Sequence, residues 1–254
     1  MLVLALDTTT RAGSCALARD GLIVREQCSD ESRSQASRLP EELMSLLDRE
    51  HQALRDIDIF AVAIGPGSFT GLRVGIATMQ GLAFAAGKAL IGVSGLDALA
   101  RIAARSADTE PTSRVATWVD AWRGEVYAAL YQSGVQIDGP TVEHPHELLG
   151  RIASQTSSRG PAVMSSRQDR ASTSLAMSRT MFIGDGVRAY AEAIRAVLPA
   201  AEIAEPLVPM LAGTIAAMAA EQASRGHLPP PHAIRPLYVR RPDAELSRDA
   251  RHSS

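Results

Sequence analysis

Two unbroken apolar runs of strand length, residues 2–6 and 59–64, stand out against the rest of the chain. Continuous apolar character, without alternation, predicts strands covered on both faces, as in parallel or mixed sheets of α/β domains. Residues 14–18 and 22–27 predict two further strands joined at Asp20-Gly21, a hairpin turn. Between 35 and 51 the leucines 39, 43, 46 and 47 recur at helical spacing, with Pro40 placed in the first turn. A helix from 70 to 86, a strand at 89–93 and a helix at 95–107 complete a first half. A second half repeats the opening: strand 115–119, Asp120, turn, return strand 125–131, a third strand at 134–142 and a helix at 147–153. Strand 181–183, a helix from Gly184-Asp185-Gly186 to 198, and a last helix at 210–225 follow. This internal repeat predicts an α/β fold built of two like halves.

The strand at 59–64 runs into Gly65-Pro66-Gly67-Ser68-Phe69-Thr70-Gly71-Leu72-Arg73-Val74-Gly75. Gly65 and Gly67 suit a tight turn or a close backbone approach, and Ser68 or Thr70 can cap the helix. It is not a Walker loop, because Leu72-Arg73 follows Gly71 where Lys-Ser/Thr is required. Nor is it a dinucleotide fingerprint, whose third glycine would fall on Thr70. Between 71 and 86 the only strongly polar residues are Arg73 and Gln80, seven apart and on one face. A helix apolar nearly all round is buried nearly all round, either at the centre of its own domain or under another protein.

The chain has 254 residues, 46% hydrophobic and 21% charged, with net charge -2. That suits one or two compact domains and gives no large basic surface for nucleic acid. Two cysteines, Cys15 and Cys28, make no disulfide framework, and residues 1–6 carry neither a basic n-region nor a cleavage site. A cytoplasmic location is expected, with no membrane span. The expected division is 1–108, 109–225 and a tail at 226–254. Residues 154–180, rich in serine and arginine, read as a mobile insertion dispensable for folding, a solvated loop whose arginines also have the charge to meet nucleic-acid phosphates.

Asp7, at a strand end before Thr8, Thr9 and Thr10, is the kind of group that holds a hydrated Mg²⁺ while hydroxyls and backbone N–H groups face phosphates; Asp120 takes the matching place in the second half. The same residues also fit an inherited shell in which the carboxylates cap turns. No His-x-x-x-His lies on the first long helix, and His144-Pro145-His146 sits in a loop before a helix, the wrong setting for zinc. Cys15 and Cys28 have no base nearby in sequence, and there is no Gly-x-Ser-x-Gly elbow.

The Gly65–Gly75 segment, with Leu4-Ala5-Leu6-Asp7-Thr8-Thr9, Gly92-Val93-Ser94, Asp120-Ala121, Gly124-Glu125-Val126-Tyr127 and Pro236-Leu237-Tyr238-Val239-Arg240, resembles the TsaB (YeaZ) family. These motifs span almost the whole chain in order, and the internal repeat resembles the duplicated ribonuclease-H-like α/β architecture of the actin, hexokinase and Hsp70 superfamily. The resemblance implies a subunit that is not an enzyme on its own. It would pair with a TsaD-like transferase and a TsaE-like ATPase in threonylcarbamoylation of the adenosine next to the anticodon of ANN-decoding tRNAs, and meet tRNA through that complex. It implies no required cofactor and at most weak ATP or ADP with Mg, at Asp7, Thr8, Thr9, Asp120 and Gly184. The family commonly reads Asp-Ala-Arg where this chain has Asp120-Ala121-Trp122. The alternative is an autonomous ATPase or phosphotransferase of the same fold. A docking face is expected on the two helices 35–51 and 70–86, from Leu39, Leu43, Leu46, Gly71, Arg73, Gly75, Ala77 and Gln80. Self-dimerisation through that face is expected when the partner is absent.

Overall fold

The apolar runs pair as the centres of two five-stranded mixed sheets. In the first, β1 (Leu2–Asp7) lies between antiparallel β2 (Ser14–Arg19) and parallel β4 (Ile59–Gly65), with β3 (Leu22–Cys28) and β5 (Ala89–Ser94) at the edges. In the second, β6 (Arg114–Asp120) lies between antiparallel β7 (Val126–Gln132) and parallel β9 (Thr180–Ile183). Its edges are β8 (Val135–Glu143) and the two-residue β10 (Glu202–Ile203). The orders β3-β2-β1-β4-β5 and β8-β7-β6-β9-β10 are the same pattern. The fold is α/β, two ribonuclease-H-like units. The computed structural model describes residues 1–10, 13–29, 35–105, 114–157 and 179–240.

The boundaries differ from those expected. One unit is Met1–Ile102 with Pro209–Ser254, the other Ala103–Val208. The last helix, α6 (Ala212–Ser224), expected in the second half, packs on the first sheet against β1, β2 and β4. The reason is size. Leu2, Leu4 and Leu6 of β1 join the core under α1 (Gln35–Arg49) and α2 (Phe69–Ala86). Side chains alternate along a strand, so Val3 and Ala5 face the opposite side. Buried Ala16, Ala18, Ala61 and Ala63 leave a shallow surface there on which an alanine-rich helix packs closely. The helix start is held by the same sheet: Ser14 Oγ accepts from Ala212 N–H at 3.1 Å, and Glu26 Oε1 from Gly213 N–H at 2.7 Å.

The expected tail is also part of the first unit. Leu90 N–H donates to Pro229 O at 3.3 Å and Leu237 N–H to Ile64 O at 2.7 Å. Pro40 lies inside α1, past its first turn. In the second unit, α4 (Pro145–Ser157) and α5 (Ala191–Val197) cover a core of Trp118, Leu130, Leu149, Phe182 and Ile194. Of the expected insertion, 154–157 finish α4 and Thr180 opens β9, while 158–178 lie outside the described residues, as do 241–254. No described helix is long and apolar enough to cross a membrane.

Candidate functional site

Three of the predicted nucleotide residues meet at the carboxyl end of the first sheet, where β1 and β4 run parallel. Asp7 is 2% exposed, and its Oδ1 accepts from Thr9 N–H at 2.8 Å and from Thr9 Oγ1–H at 2.7 Å. Thr9 O accepts from Ser68 N–H at 2.9 Å, which ties the loop after β1 to the loop after β4. Gly67 is a glycine because a Cβ there would sit 2.5 Å from Thr9 O. Thr8 is fully buried against α2: a Cβ on Gly75 would meet Thr8 Oγ1 at 2.2 Å. The Thr9 hydroxyl is therefore spent on Asp7, and that of Thr8 lies under the helix. A hydrated metal or a phosphate would have to compete with the Asp7–Thr9 hydrogen bonds for these groups. The Gly-Pro-Gly turn serves loop-to-loop packing, and Ser68 Oγ caps α2 by accepting from Gly71 N–H at 3.2 Å.

The equivalent end of the second sheet is built differently. Asp120 ends β6 and is exposed; its Oδ1 accepts from Trp122 N–H at 2.9 Å, and its own N–H donates to Asp185 Oδ1 at 2.9 Å. Gly184 (φ 113°) and Gly186 bring the loop after β9 against β6, where a Cβ on Gly186 would stand 3.1 Å from Asp120 N. Burial raises the Asp185 carboxyl above the ordinary range; backbone N–H donors oppose this and the Asp120 charge adds to it. Asp185, left out of the predicted site set, is the residue that joins its two strands. An acid two residues past the end of a parallel strand was the available signal. Beyond Asp120 the chain turns through Trp122, Arg123 and Gly124, with φ of 56°, 58° and 77°.

The predicted docking residues divide. Leu39, Leu43 and Leu46 are each 0% exposed in the first unit's own core. Gly71 and Gly75 are buried as well, Gly75 against Thr8. An amphipathic stripe identifies an apolar face but not what covers it, and here the sheet covers it. Arg73 and Gln80 do share one stripe, and it faces the chain's own C-terminal segment. Gln80 Nε2 donates to Pro231 O at 3.0 Å and Ile234 O at 3.1 Å. Arg73 Nε donates to Tyr238 Oη at 2.9 Å, with its guanidinium 3.9 Å over the Phe69 ring. Exposed on α2 are Phe69, Thr70 and Arg73 in its first turns, then Ala77, Gly81, Phe84 and Ala85, with Phe84 at 82% and Phe69 at 40%. From Ala77 onward the residues offered to solvent are thus small and apolar, with one projecting ring, Phe84.

The remaining candidates for chemistry stay apart. His144 and His146 are exposed, His144 Nδ1 lying 3.2 Å from Gly124 O. Cys15 and Cys28 are unpaired thiols, and burial pushes the Cys15 thiol up to about 12, far from a nucleophile's range.

Residues 19–250 match the family of TsaD, tRNA N6-adenosine threonylcarbamoyltransferase. The chain is 41% identical over 134 residues to the tRNA threonylcarbamoyladenosine biosynthesis protein TsaB of Escherichia coli, covering 52% of this chain and 55% of that one. It is 33% identical over 132 residues to the TsaB of Bacillus subtilis, covering 52% and 56%. These matches span only about half the length of either relative. A Pseudomonas aeruginosa structure, described as similar to peptidase YeaZ, superposes with TM-score 0.69 at 30% identity over 94% of this chain and 99% of that one. The repeated sheet order, the Gly-Pro-Gly loop packed on Thr9 and these likenesses agree, and the chain belongs to the TsaB (YeaZ) family.

Proposed function

We propose that this chain is a non-catalytic subunit of tRNA threonylcarbamoyladenosine biosynthesis. It docks through the exposed face of α2 on a TsaD-like transferase, which modifies the adenosine next to the anticodon of ANN-decoding tRNAs. A TsaE-like ATPase completes the assembly, and in its absence the chain pairs with itself. The names of the relatives support the pathway. The observation that carries the docking is the outer face of α2. Ala77, Gly81 and Ala85 let another backbone approach, Phe84 stands 82% exposed, and the helix's two strongly polar side chains are engaged by residues 231–238. The docking face is accordingly narrower than the sequence suggested: it keeps Ala77 and loses Leu39, Leu43, Leu46, Gly71 and Gly75.

The partner role is favoured over an autonomous ATPase because Asp7 Oδ1 and the Thr9 hydroxyl are engaged with each other and the Thr8 side chain is buried under α2. ATP or ADP with Mg binds weakly in this reading and is not required. The cytoplasm is where tRNA and partner would be met. The test is reconstitution: the purified chain alone, the TsaD-like transferase alone, and the mixture with the ATPase are assayed for modified adenosine in tRNA. Product only in the mixture, absent with Ala77→Glu, is expected. Steady ATP hydrolysis by the pure chain, abolished in Asp7→Ala, would overturn the reading.

A further inference from the structure

The tryptophan that the fold uses least marks a second contact. Trp122 is 54% exposed, and among the described residues its indole makes neither a hydrogen bond nor a ring contact. It stands on a turn held with unusual care. Two consecutive non-glycine residues, Trp122 and Arg123, adopt left-handed φ of 56° and 58°, a conformation sterically unfavourable to both. Four hydrogen bonds keep it: Trp122 N–H to Asp120 Oδ1 at 2.9 Å, Ala121 N–H to Glu125 O at 3.0 Å, Glu125 N–H to Trp122 O at 3.1 Å, and His144 Nδ1 to Gly124 O at 3.2 Å. A hairpin that needed only to reverse would place glycine or asparagine at such positions. Here a bulky indole is held out rigidly instead.

We infer that the Trp122 turn is a stacking ledge for an unpaired RNA base, so that this chain touches tRNA directly as well as through its partner. The inference rests on the tRNA-modification reading above. An indole offers a flat π-face to any base, and the exposed Arg123 beside it and Arg188 on the neighbouring turn supply charge for the phosphates. Asp120 and Asp185 each direct an oxygen to a backbone N–H of their own chain. In sequence the exposed Arg123 and Gly124 follow it, and His144 Nδ1 lies 3.2 Å from Gly124 O. One ring in a polar setting is too small for a protein interface, which buries about 800 Å² on each side, but it matches one base. An unstacked loop base is accessible to such a ring, whereas a base inside a duplex is not.

The test uses the full chain. The other tryptophan, Trp118, is 0% exposed, so solvent-exposed tryptophan fluorescence reports on Trp122. A single-stranded oligoribonucleotide is expected to quench it, and the same sequence as a duplex is not. Fluorescence anisotropy of labelled single strand should weaken about tenfold for Trp122→Ala and recover to within about threefold for Trp122→Phe, with unchanged melting. Equal affinity of Trp122→Ala and wild type, or equal binding of duplex and single strand, overturns the proposal. So does loss of the transferase partner by Trp122→Ala with RNA affinity unchanged, which would make the ledge a protein contact. In cells, modified adenosine lost on deleting the chain but fully restored by Trp122→Ala would sink the ledge and leave the pathway reading standing. No loss on deletion would sink the pathway reading, while the anisotropy result would still decide the ledge.

Discussion

The carboxyl ends of the two sheets have the same strand order and opposite character. At the first, Asp7 is buried, takes two hydrogen bonds from Thr9, and the loops after the parallel strands are joined by backbone, Ser68 N–H to Thr9 O. At the second, the corresponding Asp120 is exposed, and the two loops are joined through a side chain, Asp120 N–H to Asp185 Oδ1. A duplicated frame fixes where an acid sits but not what it does. One acid has become part of the packing that seats α2; the other remains at the surface beside an exposed indole.

That difference is broken most severely at Gly75. Replacing it with leucine or arginine drives a side chain into Thr8, whose Oγ1 already lies 2.2 Å from the Cβ position. Overpacking by a whole side chain should cost at least about 3 kcal/mol, read as loss of the cooperative urea transition. Leu43→Ala, in the core beneath α1, should cost about 3 kcal/mol as a cavity without removing any outer contact of α2. A lower cost accompanied by lost partner binding would return that leucine to the docking face. The two aspartates come next. Asp7→Ala leaves the buried N–H and hydroxyl of Thr9 without their acceptor and should cost about 2 kcal/mol, whereas exposed Asp120→Ala should cost about 1 kcal/mol or less. Equal costs in chemical denaturation would erase the distinction between the two ends.

The smallest effect has the opposite sign. The Asp185 pKa is higher in the folded protein than in the unfolded chain because the carboxyl is buried. The native state therefore holds that proton more tightly, and stability falls as pH rises through the folded value. Asp185→Asn keeps an oxygen for Asp120 N–H and removes the buried charge. It should gain about half a kcal/mol at neutral pH, with the gain vanishing near pH 4, below which wild type is protonated too. Glu26 has the same direction of shift, from burial beside Gly213 N–H, so its contribution must be separated with Glu26→Gln.

Much of this was legible in the chain. Continuous apolar runs announce central strands, and Asp20-Gly21, both with positive φ, makes the hairpin turn that its sequence predicts. Positions set by pairing over long distances were not. The composition of α6 says that it is buried, but not that alanines on the reverse face of the first sheet receive it. Arg73 and Gln80 read as a polar stripe because their spacing is local, while their partners Tyr238, Pro231 and Ile234 lie more than 150 residues away. The two residues of β10 are too short to leave a periodic signal.

The central claim is that the outer face of α2 is for docking while its inner face is core. The direct measurement is a calorimetric titration of the TsaD-like transferase with wild type and Ala77→Glu, alongside their melting curves. The account predicts melting free energies within about half a kcal/mol of each other, since Ala77 is exposed, and an affinity at least about a hundredfold weaker for the variant. Unchanged affinity in a normally folded variant would contradict it.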